Sequence, residues 1–181
     1  MRHQLDMHDM LLPGLPAPAA ARALAPVGEL GELLILSCSS TKAPGFTCGH
    51  FHDLYTGPMW LQVKASGFPM SRVACVSALY GFMEPDFPPY VETYDQAMDE
   101  ESAARICGTS NHVARLAACV LAHGRAHLFG GELYRRVGHA ACRYRPELGD
   151  RLTFATGTYL QQRKQLGEFL RRNTHHQHQG V

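Results

Sequence analysis

The side chains best suited to chemistry fall in two short stretches. Glu92-Thr93-Tyr94-Asp95-Gln96 sets two carboxylates around an aromatic ring. Glu92 or Asp95 can orient a water molecule or hold a ribose hydroxyl, the work of a general base or a positioning acid. The competing reading is a helix start, with Asp95 or Asp99 as the cap. The second stretch, Ser37-Cys38-Ser39-Ser40-Thr41-Lys42, gathers hydroxyls, a thiol and an ammonium group. Its hydroxyls and backbone N–H groups, with Lys42, can hold a phosphate or carboxylate. No GxxxxGK[ST] pattern is present, so this is not a P-loop. The same residues would equally make a capped, solvated turn. Cys38 stands at a strand end, where facing helix N-termini can activate a thiol. Burial as a structural cysteine is the alternative.

Positioning these residues needs a sheet that brings strand ends together. The apolar run over residues 30–36 predicts the first core strand, breaking into the polar loop at Ser37. Residues 72–77 predict a second, ending in Ser77, Tyr80 and Gly81. If the two are parallel, both loops face one crevice at the carboxyl edge of the sheet. Residues 126–129 predict a third strand, and Gly130 and Gly131 after it allow close approach of a ligand. The helix that follows, over 132–137, carries Tyr134. Residues 151–155 predict a fourth strand.

Helices fill the intervals. Pro58 suits the first turn of a helix through residue 66, with Thr56 or Gly57 near its cap. Trp60 on it reads as a buried anchor, with base stacking as the alternative. A helix beginning near Met98 is interrupted at Gly108, and Asn111 can cap the next. Residues 112–123 carry an apolar stripe of Val113, Leu116, Ala117, Val120 and Leu121, ended by Gly124. A basic helix over 159–169 comes last. Residues 82–90, with Pro85, Pro88 and Pro89, read as a rigid loop. The sum is an α/β fold: a single three-layer domain with a mostly parallel central sheet of about four strands, over residues 29–172. A proline-broken N-terminal arm, residues 1–28, precedes it and reads as a poorly ordered terminus, a dimer arm being the alternative. A disordered tail, residues 173–181, follows.

Composition narrows the class. The chain has 181 residues, 45% of them hydrophobic, enough for one domain with a real core. A net charge of +1 excludes a global electrostatic pull toward nucleic acid or anionic lipid. No apolar run approaches the ~20 residues of a membrane span. The six cysteines form no CxxC pair. Cys48, His50 and His52, beside Asp53, cluster too tightly and without a partner pair, so no metal is expected. No cofactor is implied. The start of the chain lacks the pattern of a secretory signal, and the cysteine usage suggests a cytoplasmic protein with reduced thiols.

Four phrases occur in a recognisable order: Ile35-Leu36-Ser37-Cys38-Ser39-Ser40-Thr41-Lys42, Asp53-Leu54-Tyr55-Thr56-Gly57-Pro58, Val76-Ser77-Ala78-Leu79-Tyr80-Gly81-Phe82-Met83-Glu84-Pro85-Asp86 and Glu92-Thr93-Tyr94-Asp95. Together they resemble a bacterial and phage family of YaaA-like α/β proteins over residues 33–170. The resemblance implies one α/β domain, distantly like uracil-DNA glycosylases and the accessory domains of tRNA-guanine transglycosylases. It implies settings of modified DNA bases or 7-deazaguanine chemistry. It also implies a pocket lined by Ser37, Cys38, Lys42, Asp53, Tyr55, Thr56, Ser77, Gly81, Glu92, Tyr94 and Asp95. Tyr80 stands where that family often has histidine or lysine.

The leading expectation is an enzyme acting on a nucleobase, nucleotide or nucleic acid, by cleavage or exchange of an N-glycosidic bond. An acidic residue would activate water or stabilise a cationic sugar, Asp95 ahead of Glu92 and Asp53. Tyr55, Tyr80 or Tyr94 would stack on the base, and the loop from Ser37 through Ser39 to Lys42 would hold a phosphate or the leaving base. A base inside duplex DNA would have to be flipped out. Thr56, Gly57, Gly130 and Tyr134 complete the expected substrate contacts. The alternative is a non-catalytic nucleic-acid or partner-binding module, suggested by the pairs Arg135/Arg136 and Arg163/Lys164. A homodimer is a further expectation.

Overall fold

The structure is a computed structural model that describes residues 30–88 and 90–175. The expected arm, residue 89 and residues 176–181 of the expected tail lie outside the described residues. In chain order the elements are β1 (Leu33–Ser37), β2 (Cys48–Gly49), α1 (Phe51–Leu54), α2 (Pro58–Ser66), β3 (Val73–Ser77), β4 (Gly81–Met83), β5 (Val91–Glu92), α3 (Glu100–Gly108), α4 (Ser110–His123), β6 (Ala126–Phe129), α5 (Glu132–Tyr144), β7 (Leu152–Phe154) and α6 (Tyr159–His175). No helix among them is long and apolar enough to cross a membrane.

The principal sheet has five strands in the order β4-β3-β1-β6-β7. β1 pairs in parallel with both β3 and β6, and β6 with β7. Helices cover both faces of the sheet at this central strand, which is why Leu33, Leu34, Ile35 and Leu36 are all apolar and fully buried. Their side chains alternate. Leu34 and Leu36 join Val73 and Cys75 in one apolar cluster with Trp60, Val63 and Phe169 from α2 and α6. Leu33 and Ile35 join Ala74 and Val76 in a second, with Ile106, Leu116 and Val137 from α3, α4 and α5.

The sheet exceeds the expected strand count by one. β4 lies within the stretch read as a rigid loop, and runs antiparallel to β3 from Ser77↔Gly81 to Cys75↔Met83. The prolines responsible for that reading begin only at Pro85. Gly81 enters the strand with φ +70, where a glycine costs little. Three further boundaries change. α5 continues past Val137 to Tyr144, because its buried stripe is made of the small residues Gly138, Ala140 and Ala141. A Cβ on Gly138 would meet the Phe154 ring at 2.5 Å, so the missing side chain lets α5 lie close on the sheet. α6 continues to His175, which makes residues 173–175 helical rather than tail. Thr109, not Asn111, occupies the position before α4.

Asp99 caps α3, accepting a hydrogen bond from the Ser102 N–H at 2.8 Å. The connections leave β1 and β6 in opposite directions across the sheet: β1 leads to β3, β6 leads to β7. The gap between the carboxyl ends of these two neighbours is thus a topological switch point, where open α/β sheets take their ligands. Cys38 and Gly130 stand at that gap.

Candidate functional site

The carboxyl edge of the sheet carries a connected set of hydroxyl and thiol groups. Ser77 Oγ is 2.7 Å from Tyr94 Oη, and Tyr94 Oη is 2.7 Å from Tyr55 Oη. Ser77 Oγ also accepts the N–H groups of Leu79 at 3.2 Å and Tyr80 at 3.1 Å. Its two lone pairs are then used, so its own proton points to Tyr94. Tyr94 and Tyr55 share a hydrogen bond, and Tyr55 also bonds the sulfur of the fully buried Cys75. Alongside, Cys38 Sγ is 3.1 Å from Tyr134 Oη. Tyr94 also interacts with Cys38.

Burial is the largest cause raising the pKa of Tyr55, Tyr94 and Tyr134, and the neighbouring thiols add to it. Cys75 is pushed up for the same reason. These phenols hold their protons throughout the neutral range. They position and shape the edge. Proton transfer near pH 7 falls to other groups.

Local folding brings the loops together. After β1 the chain turns at Ser39, whose Oγ accepts the Thr41 N–H at 3.1 Å. It then pairs antiparallel with the segment after α1. Ala43 N–H donates to Leu54 O at 2.8 Å, Thr56 N–H to Thr41 O at 3.1 Å, and Lys42 bridges Tyr55. Trp60 on α2 donates its indole N–H to Ser37 O at 3.0 Å, pinning the helix to the end of β1. Gly57 lies so close to Ser39 that a Cβ would fall 2.1 Å from its Oγ. A Cβ on Gly130 would fall 3.1 Å from Ser37 Cβ and 3.0 Å from Tyr134 Cβ. Both glycines are therefore contact residues between loops. Lys42 Nζ sits 4.8 Å from the centre of the Tyr94 ring, and the Tyr80 ring meets Tyr94 edge-on at 5.6 Å.

Most of the expected substrate contacts meet here: Ser37, Cys38, Ser39, Lys42, Tyr55, Thr56, Gly57, Ser77, Tyr80, Tyr94, Gly130 and Tyr134. Gly81 stands one turn behind, packed against the His112 ring. The three expected acids are placed differently. Glu92 on β5 and Asp95 just after Tyr94 are both exposed, and the Glu92 N–H donates to Tyr80 Oη at 3.0 Å. Asp53 is exposed on α1, where its charge acts on His52 and Lys64. None of these three carboxylates is hydrogen-bonded to Ser77, Tyr94, Tyr55, Cys38 or Tyr134.

Two cations tie this edge together: Arg135, read from the sequence as half of a basic patch, and Arg105, which the sequence reading missed. Arg135 donates to Gly130 O at 3.4 Å and Ala155 O at 3.3 Å, tying together the ends of β6 and β7. Arg105 donates to Ala78 O at 2.5 Å beyond the end of β3. Both act through carbonyls distant in sequence, which no local motif announces. Arg136, read as its partner in a basic patch, is committed to Glu100 and Glu132. His52 Nε2 lies 3.2 Å from Val73 O, and no three histidine, cysteine or acidic groups among the described residues are arranged to hold a metal ion. Two sizeable cavities open elsewhere, between α6 and the β6–β7 pair and between α3 and α5.

Comparison of the chain with family models, with curated proteins and with solved structures finds no match.

Proposed function

We propose that the carboxyl edge of the sheet binds a nucleotide or a nucleic-acid base, and that the chain cleaves or exchanges its N-glycosidic bond. The observation that carries this reading is the placing of Lys42 and Tyr80 both against the ring of Tyr94, whose hydroxyl belongs to the hydroxyl cluster. An ammonium group beside partly exposed aromatic rings suits a ligand that joins a flat heterocycle to an anion. The hydroxyls of Ser77 and Tyr94, already ordered, would read the polar edge of the base. Apolar clusters on both faces of the sheet support a three-layer architecture with its ligand at the switch point.

The glycosidic step itself rests on the phrases that resemble the YaaA-like family. Asp95 is the acid of choice, because it follows Tyr94 directly and its exposed carboxylate is free to turn toward a bound sugar. Glu92 and Asp53 rank behind it. A cytoplasmic setting with reduced thiols belongs to the same reading.

The test is mass spectrometry of nucleoside, nucleotide and oligonucleotide pools incubated with wild type and with Asp95→Asn. A product peak that appears with wild type and is lost in the variant supports catalysis. Equal products in both would overturn Asp95 as the acid. Pools unchanged by wild type would favour the non-catalytic binding module.

A further inference from the structure

On the sheet face covered by α6, three polar side chains stand in a row across neighbouring strands. Glu32 immediately precedes β1, His127 lies on β6, and Thr153 lies on β7 in register with His127. Thr153 Oγ1 is 2.5 Å from His127 Nδ1, and His127 Nε2 is 3.5 Å from Glu32 Oε2. Asn173 holds that same carboxylate oxygen at 3.0 Å. The order is hydroxyl, imidazole, carboxylate: a nucleophile, its base and the group that orients the base. A carboxylate beside Nε2 keeps the imidazole proton there. In that tautomer Nδ1 accepts from the Thr153 hydroxyl at 2.5 Å, with the Ala126 carbonyl a longer, competing acceptor at 3.3 Å.

His127 and Thr153 line a cavity of about 510 Å³. Phe129, Phe154 and Phe169 supply its apolar surface, and Arg171 and Arg172 lie on its wall with Glu168. Neither arginine makes an ion pair among the described residues. The cavity therefore offers an apolar bed, an anion-binding end and an activated hydroxyl in one place.

We infer that this cleft is an acyl-transfer site, hydrolysing esters that join an apolar acyl chain to an anionic group. Thr153 is the nucleophile, His127 the base and Glu32 a positioning residue. Thr153 Oγ1 attacks the ester carbonyl carbon while its proton passes to His127 Nδ1. The C–O bond to the leaving alcohol breaks, and that alcohol takes the proton from His127. Water then attacks the acyl-threonine, giving its proton to His127. The Thr153 C–O bond breaks and the proton returns to Oγ1, so water is the sole co-reactant. Burial keeps the His127 imidazole neutral, with Arg172 and Arg125 acting in the same direction and Glu32 opposing them.

The experiment uses the full chain with p-nitrophenyl butyrate and with 4-butyryloxy-3-nitrobenzoate, the analogue whose leaving group carries a carboxylate. It follows nitrophenolate release and maps the acyl group by mass spectrometry. Wild type should release a burst of about one equivalent with the acyl group on Thr153, and should prefer the carboxylate analogue. Arg171→Ala/Arg172→Ala should lose that preference. Thr153→Ser should retain the burst, and Thr153→Ala should abolish it. His127→Gln should slow it at least ~100-fold, the usual scale of general-base catalysis. Glu32 raises the His127 pKa, so Glu32→Gln should shift the rising limb of the pH profile to lower pH. No burst with either ester, a full burst in Thr153→Ala, or acylation mapped to another residue would overturn the proposal.

Discussion

At the scale of residues, the carboxyl edge is organised by hydroxyls. Tyr94 is central, because it joins Ser77 on β3 to Tyr55 beside α1. Tyr94→Phe leaves both partners short of a bond, and should lower stability by about 1–2 kcal/mol in urea unfolding. An unchanged midpoint and slope would show that the chain of hydroxyls contributes nothing. Gly81 offers a second test at this scale. It has φ +70, and an added Cβ would meet His112 Cε1 at 2.4 Å. Gly45 has a similar φ of +71 with nothing within 4 Å. Gly45→Ala should lose only the ~1–2 kcal/mol of a left-handed backbone. Gly81→Ala should lose clearly more, and equal losses would contradict the packing described. The charged side chains Asp95, Glu92 and Asp53 stand out in the sequence because a carboxylate announces acid–base chemistry by its type, whereas nothing local to Tyr94 says that it reaches Ser77 and Tyr55. Side-chain type was legible and long-range partnership was not.

At the scale of elements, α2 and the loop after β1 form one unit. Trp60 fixes the helix to Ser37 O, and Gly57 abuts Ser39. Gly57→Ala must push Ser39 aside and release the Thr41 N–H from its Oγ. Hydrogen exchange at the Thr41 amide should then quicken by tenfold or more, an opening easier by about 1.4 kcal/mol. Unchanged protection would mean that the loop keeps its turn without that contact. The strands β1 and β3 are legible because central parallel strands are nearly continuously apolar, and β6 and the edge strand β7 because apolar residues flank His127 and Thr153. β4 is three residues long and follows β3 through a tight turn, too short to show a period. α5 hides for a different reason: its buried stripe is glycine and alanine, which carry little apolar signal.

At the scale of the whole molecule, burial of histidine sets the response to acid. His52, His112, His123 and His127 all have pKa values lowered from 6.5, desolvation being the first cause in each. Below pH 6.5 the unfolded chain binds more protons at these sites than the folded one. Stability should therefore fall as the pH drops through that value, and the thermal midpoint should be lower at pH 5.5 than at pH 7.5 at constant ionic strength. An equal or higher midpoint at pH 5.5 would contradict the neutral, buried state of these rings. The near-zero net charge means that binding at the carboxyl edge must come from local groups rather than a global field. Lys42 is the local cation beside the Tyr94 ring. The most direct measurement is calorimetric titration of wild type and Lys42→Ala with free bases, nucleoside monophosphates and a single-stranded oligonucleotide. Saturable binding of at least one ligand that carries a phosphate is predicted, weakened about tenfold in the variant, or about 1.4 kcal/mol. Absence of binding to every ligand by wild type, or affinity indifferent to Lys42, would contradict the account.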